Sequence, residues 1–360
     1  MASILFHDPR LSSVAGGGET VTLQLASLFA AAGHSVTILT REAPRTALFA
    51  DTIRELDRVR VVELPMVPPS TSHPEYGDLT RSLWNADRLA PESITFNVAA
   101  RSFYQEQSFD LVVVSFALDL AGLNTNNPVL FNVFGLPPDP LIACQERPLL
   151  KKCSYYTFAS RYVCTEFSRL FDLDANDANA NLGPVIYASL SSVFFDPPTP
   201  NGNSVDVCYA GRLVDRKGLD SAIEALAWLK ANRSLRVRMA IAGNGPRRPS
   251  LHARAAKAGV GDQIEWLGDL TTRGVVDLLD RSRVFLYPTV LPEAFGCSNL
   301  EAMARGLVVI TTNLGGTAEY VIPDVNALVC EPGDSFSLGH CIDLAGVYCE
   351  QSADTGKGLM

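Results

Sequence analysis

At roughly 150 residues per domain, a chain of 360 residues is too long for one ordinary core, and two domains are expected. Hydrophobic residues at 47% and charged residues at 19% exclude a disordered tail. The net charge of −9 argues against a nucleic-acid binder, no apolar run reaches the roughly 18 residues of a membrane span, and the start MASILFHDPR lacks the form of a secretory signal.

SILFH (3–7) reads as a short buried strand. Residues 19–32 then set Val21, Leu25, Leu28, Phe29 and Ala32 at helical spacing, and Gly33 ends that helix. SVTIL (35–39), VRVVEL (59–64), DLVVV (110–114) and PVLFNV (128–133) follow as strands. Near-continuous Val/Ile/Leu runs alternating with helices imply a parallel sheet covered on both faces. The segment 147–169 carries Arg147, Lys151, Lys152, Arg161 and Arg169 among apolar residues. A solvated helix face is preferred there over peripheral contact with an anionic membrane.

Between 172 and 204 the alternation breaks, in DLDANDANANLG and the turn-rich DPPTPNGNS. It restarts with VDVCYAG (205–211) and a helix over 219–229 that aligns Leu219, Ala222, Ile223, Leu226 and Ala227. RVRMAIAG (236–243), IEWLG, VFLYP and VVITT are the next strands, and residues 335–350 can supply a last helix. The expected class is α/β, with two doubly wound Rossmann-like parallel-sheet domains over 1–190 and 205–345 and a linker over 191–204. Such sheets bind ligands at the carboxyl ends of their strands, here in a deep cleft where the two face each other.

The eight cysteines are Cys144, Cys153, Cys164, Cys208, Cys297, Cys330, Cys341 and Cys349, with no C-x-x-C pair. They read as buried small hydrophobes in a reducing, cytoplasmic compartment, Cys297 alone standing among residues that suggest chemistry.

Three motifs carry chemistry. Gly16, Gly17 and Gly18 precede the first helix, where backbone can approach a ligand and the helix N-terminus favours an anion. In AGRLVDRKG (210–218), Arg212 offers a fork and Lys217 a point charge at a strand tip, with Arg216 assigned to a solvated turn. In PEAFGCSNLEAMARG (292–306), Glu293 and Glu301 stand eight positions apart. Phe295, Gly296 and Cys297 expose backbone N–H groups at a helix start, and Glu301 is placed in the first turn. Helix capping would account for Glu301 but leaves Glu293 without a task.

The E-x7-E spacing, with AGRLVDRKG, AIAGNGP (240–246), EWLGDL (265–270), GGTAEYV (315–321) and NALVCEPGD (326–334), resembles the retaining GT-B glycosyltransferases of family 4. The resemblance is dense over 205–334 and thinner before it. It implies a nucleotide-diphospho-sugar donor held mainly by the second domain, as substrate rather than cofactor. Arg212 and Lys217 then match the diphosphate contacts, Glu293 the sugar hydroxyls and Glu301 the ribose. Phe295, Gly296, Cys297 and Asn244 join the donor site, and Gly16 and Gly17 match the loop that closes over it. The resemblance also implies retention without a metal, and the chain has no His/Cys cluster of ligand spacing. A glycosidase-like carboxylate pair is set aside because the ribose explains Glu301. The acceptor, a saccharide, lipid or small molecule, is not identified.

Phe134 of NVFGLPPD stands where the family usually has a histidine, and His7 is the histidine at a strand tip. This departure leaves, as the alternative, a catalytically weak or inactive GT-B protein that binds nucleotide or sugar as a regulator or partner. A sugar-nucleotide epimerase or a phosphorylase of the same fold is a further one.

Overall fold

The computed structural model describes residues 1–13, 17–45, 49–50, 59–65, 90–121, 123–137, 143–144, 146–173, 182–198 and 204–355. It divides into two compact units, Met1–Ser189 and Leu190–Met360.

The first unit holds a parallel sheet of β1 (Ser3–His7), β2 (Ser35–Arg41), β3 (Val59–Leu64), β4 (Leu111–Val114), β5 (Val129–Val133), β6 (Tyr155–Phe158) and β7 (Leu182–Val185). Its strand order is β3-β2-β1-β4-β5-β6-β7, so the order reverses between β1 and β4. That reversal opens the crevice where doubly wound sheets take ligands. The covering helices are α1 (Gly17–Ala31), α2 (Ala90–Ala99), α3 (Arg101–Glu106) and α4 (Arg161–Phe171). The first helix starts two residues before the expected 19 and buries Val21, Leu23, Ala26 and Ala30, while Leu28 faces solvent. Gly33 ends it at φ +89°.

The segment 147–169 departs from the expected single helix face. Leu149–Lys152 is one 3-10 turn, Tyr155–Phe158 is strand β6, and only Arg161 onward is helix, capped by Ser160 accepting from the Val163 N–H. The aromatic, β-prone run Tyr155–Phe158 pairs with β5 instead of continuing a helix. Lys152 turns inward and donates to the carbonyls of Leu120 (3.0 Å) and Leu123 (2.7 Å).

The second unit holds β8 (Val205–Ala210), β9 (Met239–Ala242), β10 (Ile264–Gly268), β11 (Ser282–Tyr287), β12 (Val308–Thr311) and β13 (Leu328–Val329), all parallel in the order β10-β9-β8-β11-β12-β13. Its helices are α5 (Leu219–Arg233), α6 (Arg248–Lys257), α7 (Thr272–Asp280), α8 (Cys297–Ala304) and α9 (Ser335–Thr355). Alternate side chains feed cores on opposite faces. Val207, Tyr209, Val284 and Leu286 enter one, and Cys208, Ala210, Phe285 and Tyr287 the other. Within 191–204, read above as linker, Phe194 is buried in the second of these cores and Arg305 donates to its carbonyl at 3.3 Å. Cys208 and Cys330 are buried, but Cys144 is exposed, against the expectation that all the cysteines are buried.

Candidate functional site

The chemistry-bearing loops of the second unit leave the carboxyl ends of β8, β9, β11 and β12. The loops after β8 and β9 lie back to back. Gly211 N–H donates to Ala242 O at 3.1 Å and Leu213 N–H to Asn244 O at 2.8 Å. A Cβ on Gly243, at φ +118°, would stand 2.0 Å from the Gly211 carbonyl, so glycine is required for this approach. Arg212 rides on the paired loops, exposed. Asn244 is exposed beside it and its Oδ1 accepts from the Gly245 N–H at 2.9 Å.

A 3-10 turn over Asp215–Lys217 follows, closed by Gly218 at φ +68°. The Arg216 carbonyl accepts from the Val290 N–H at 2.9 Å, tying this turn to the loop after β11. The tie aims Lys217 inward, where it is 7% exposed. Its Nζ donates to the Tyr287 hydroxyl at 2.7 Å and to Glu293 Oε1 at 3.0 Å. Arg216 Nη2 donates to Glu293 Oε2 at 3.0 Å. Both carboxylate oxygens of a glutamate that is 5% exposed are therefore held by cations. Burial pulls the Lys217 ammonium down to about 8; Glu293 opposes that shift, and Arg216 and Arg212 add to it.

Glu293 is set by the GGT segment after β12. Gly316 N–H donates to Glu293 O at 2.7 Å, and a Cβ on Gly316 would stand 1.9 Å from Ala294 O. Gly316→Ala must push this loop away, and it is expected to lose about 1–3 kcal/mol of stability by urea denaturation. Gly346→Ala, in open space on α9, is expected to gain roughly 0.5–1 kcal/mol in the same measurement.

The next residues begin α8. Gly296, at φ +83°, is its N-cap, and a Cβ there would stand 2.8 Å from Thr317 Cγ2. Phe295 is buried edge-on against Tyr320 at 5.3 Å, and the Tyr320 hydroxyl donates to Gly296 O at 2.9 Å. Because the left-handed glycine starts the helix at Cys297, Glu301 lies in its second turn rather than its first. Neither Glu293 nor Glu301 caps a helix. Burial lifts the half-buried Glu301 carboxyl to about 7. Burial, with Glu301 nearby, pushes the Cys297 thiol to about 12, so it is no thiolate nucleophile at neutral pH.

The structure thus brings Lys217 and Glu293 into contact and places Phe295, Gly296, Cys297 and Glu301 directly downstream. Arg216 was assigned to a solvated turn and instead grips Glu293; Tyr287 was read only as strand. Arg216 lies 77 positions from its partner, so no local spacing reveals the pair.

In the first unit, Gly16 lies outside the described residues and Gly17 opens α1. A Cβ on Gly18 would stand 3.4 Å from Phe116 Cζ and 3.7 Å from Phe134 Cδ2. His7 is fully buried rather than open to a ligand. It shares a 2.8 Å hydrogen bond with the Tyr104 hydroxyl, and burial lowers its pKa to about 4, leaving it neutral. Beside it, Arg10 donates to Asp119 Oδ1 and Oδ2 at 2.8 and 2.7 Å and to Ser93 Oγ at 2.9 Å. Among the described residues no helix is long and apolar enough to cross a membrane.

Two doubly wound domains with this site at the strand ends of the second define a GT-B glycosyltransferase fold. The comparisons agree: residues 193–345 match the family described as glycosyl transferases group 1, and residues 16–166 match the glycosyl transferase 4-like domain. Each half of the chain thus resembles a glycosyltransferase family, one model over residues 16–166 and the other over 193–345. The gpi3 subunit of phosphatidylinositol N-acetylglucosaminyltransferase from Schizosaccharomyces pombe is 34% identical over 128 residues, covering 36% of this chain and 27% of that protein. The 2-deoxystreptamine glucosyltransferase of Streptomyces kanamyceticus is 27% identical over 213 residues, 56% of this chain and 54% of that one. The chain spans 27 to 32% of the length of its phosphatidylinositol N-acetylglucosaminyltransferase relatives. Among solved structures, Anabaena HepE in complex with UDP and glucose superposes with a TM-score of 0.75 at 19% identity, covering 100% of this chain and 94% of that one.

Proposed function

We propose that the chain moves a sugar from a nucleoside-diphospho-sugar to an acceptor hydroxyl, with retention and without a metal. The observation that carries this reading is the Lys217–Glu293 pair, buried at the strand ends beside exposed Arg212 and the start of α8. In this reading Arg212, Lys217 and the N–H groups at Phe295, Gly296 and Cys297 receive the diphosphate. Lys217 and the backbone N–H groups are held in place before the anomeric bond breaks, so they stabilise charge on the leaving oxygens with little reorganisation. Glu293 accepts from the sugar hydroxyls, Glu301 from the ribose diol, and Asn244 lines the same loops. Gly16 and Gly17 stay assigned to the donor by family resemblance alone. The departing diphosphate takes the acceptor proton. UDP is the first nucleotide to test, because the HepE structures hold it. Free thiols among the described cysteines fit catalysis in the cytoplasm.

The pH dependence tests this assignment. Glu301 must be ionised to accept from a ribose, and Lys217 must be protonated to donate to a phosphate. Nucleoside-diphosphate affinity, followed by thermal shift, is therefore expected to rise through about 7 and fall above about 8. At a hundredfold excess over Kd the ligand stabilises by about 2.7 kcal/mol. A shift that is absent for uridine, guanosine, adenosine and thymidine diphosphates, or flat with pH, refutes the site.

Phe134 against Gly18 favours a second reading, a GT-B protein that binds nucleotide or sugar without transfer. Nucleotide binding with neither hydrolysis nor transfer of any matching donor distinguishes it.

A further inference from the structure

We infer that Arg216 and Tyr287 are positioning residues that hold the Lys217–Glu293 pair in register for the ligand. The inference rests on the transferase reading and assigns work to two side chains that it leaves idle.

The pair is gripped from both ends. Tyr287, at the tip of β11, accepts from the Lys217 ammonium at 2.7 Å, and its ring centroid lies 4.5 Å from Nζ. Arg216 takes the Glu293 oxygen that Lys217 does not. Removing Arg216 leaves one oxygen unheld and frees the carboxylate to rotate. Removing the Tyr287 hydroxyl frees the ammonium to swing about its flexible stem. The loop itself does not depend on either side chain, because the Arg216 carbonyl to Val290 N–H bond and the glycine contacts are backbone. An effect of these variants is therefore an effect on the pair.

The charge environment gives a signature that mere structural damage would not. Lys217 is faced by Arg212 and Arg216 from its own loop, Tyr287 from β11, Glu293 from the loop after it, and Cys297 from α8. Arg216 repels the ammonium, so its removal lets Lys217 keep its proton to higher pH. The Tyr287 hydroxyl stabilises the ammonium, so its removal makes Lys217 lose the proton at lower pH. The two variants must move the alkaline limb of ligand binding in opposite directions.

The experiment is calorimetric titration of wild type, Arg216→Gln, Arg216→Lys and Tyr287→Phe with whichever of the four nucleoside diphosphates binds, from pH 6 to 10. Turnover of the matching nucleotide-sugar is measured alongside. The ratio of affinity at pH 9 to that at pH 7.5 is expected to rise about threefold in Arg216→Gln, fall about threefold in Tyr287→Phe, and stay near wild type in Arg216→Lys. Turnover is expected to fall by about 10²-fold in Arg216→Gln while KM for the donor changes little. Limbs that coincide in all four proteins overturn this inference and leave the transferase reading standing. Failure of wild type to bind any of the four overturns both.

Discussion

Lys217→Met is expected to abolish sugar transfer and to destabilise the protein by about 3–5 kcal/mol, the cost of breaking a buried ion pair from one side. Methionine keeps the apolar stem over Tyr287 and deletes the ammonium, with its charge and its hydrogen bonds to the Tyr287 hydroxyl and Glu293. Glu293 is then left buried with the partly exposed Arg216 as its one cation. Urea denaturation and turnover on the same sample measure both effects. The linkage has a definite sign. In the folded chain Lys217 releases its proton at about 8, below its ordinary 10.5, so between those values the unfolded chain binds more protons. The contribution of this group to stability therefore rises with pH there, while nucleotide affinity falls. The stability gap between wild type and Lys217→Met should widen from pH 8 to pH 10. A loss under about 1 kcal/mol with transfer intact would contradict the electrostatic account of the site.

Much of this was legible in the sequence, for identifiable reasons. Strands β1, β3 and β10 fall at their expected limits because each is a short run rich in Val, Ile, Leu or aromatic residues that a turn former (Asp8, Pro65 or Asp269) ends. Glycine positions carried the site loops, since Gly218, Gly296 and Gly315 have left-handed backbones that other residues adopt only under strain. What escaped is non-local. Strand β6 hid in a basic, aromatic stretch whose pairing with β5 no local pattern announces. Strand β13 has only Leu328 and Val329, too few for alternation to show. Residues 236–238 read as strand because Arg and Val alternate there, yet the ladder begins at Met239. Arg216 and Lys217 are adjacent in sequence, and only the Asp215–Lys217 turn brings both onto Glu293.

The same blindness covers the buried Arg10–Asp119 pair of the first unit, and it yields a second strong expectation. Asp119→Ala should cost about 3–5 kcal/mol, seen as early unfolding of the first unit. Asp119 is fully buried, and its carboxylate receives Arg10 Nη2 on both oxygens and the Ser93 hydroxyl at 2.6 Å. Burial lifts its carboxyl to about 6 while Arg10 pulls the other way, so at neutral pH the pair is ionised. Truncation strands the Arg10 guanidinium, 4.7 Å from the Phe116 ring, without its main counter-charge. The double variant Arg10→Met with Asp119→Leu separates the value of the pair from the penalty of orphaning one partner. Apolar residues of similar volume need no counter-charge, so the double variant should recover most of what the single one loses. Additive losses in the double variant would instead mean that the two residues act through separate contacts, such as the Ser93 hydroxyl accepting from Arg10 Nη1 at 2.9 Å.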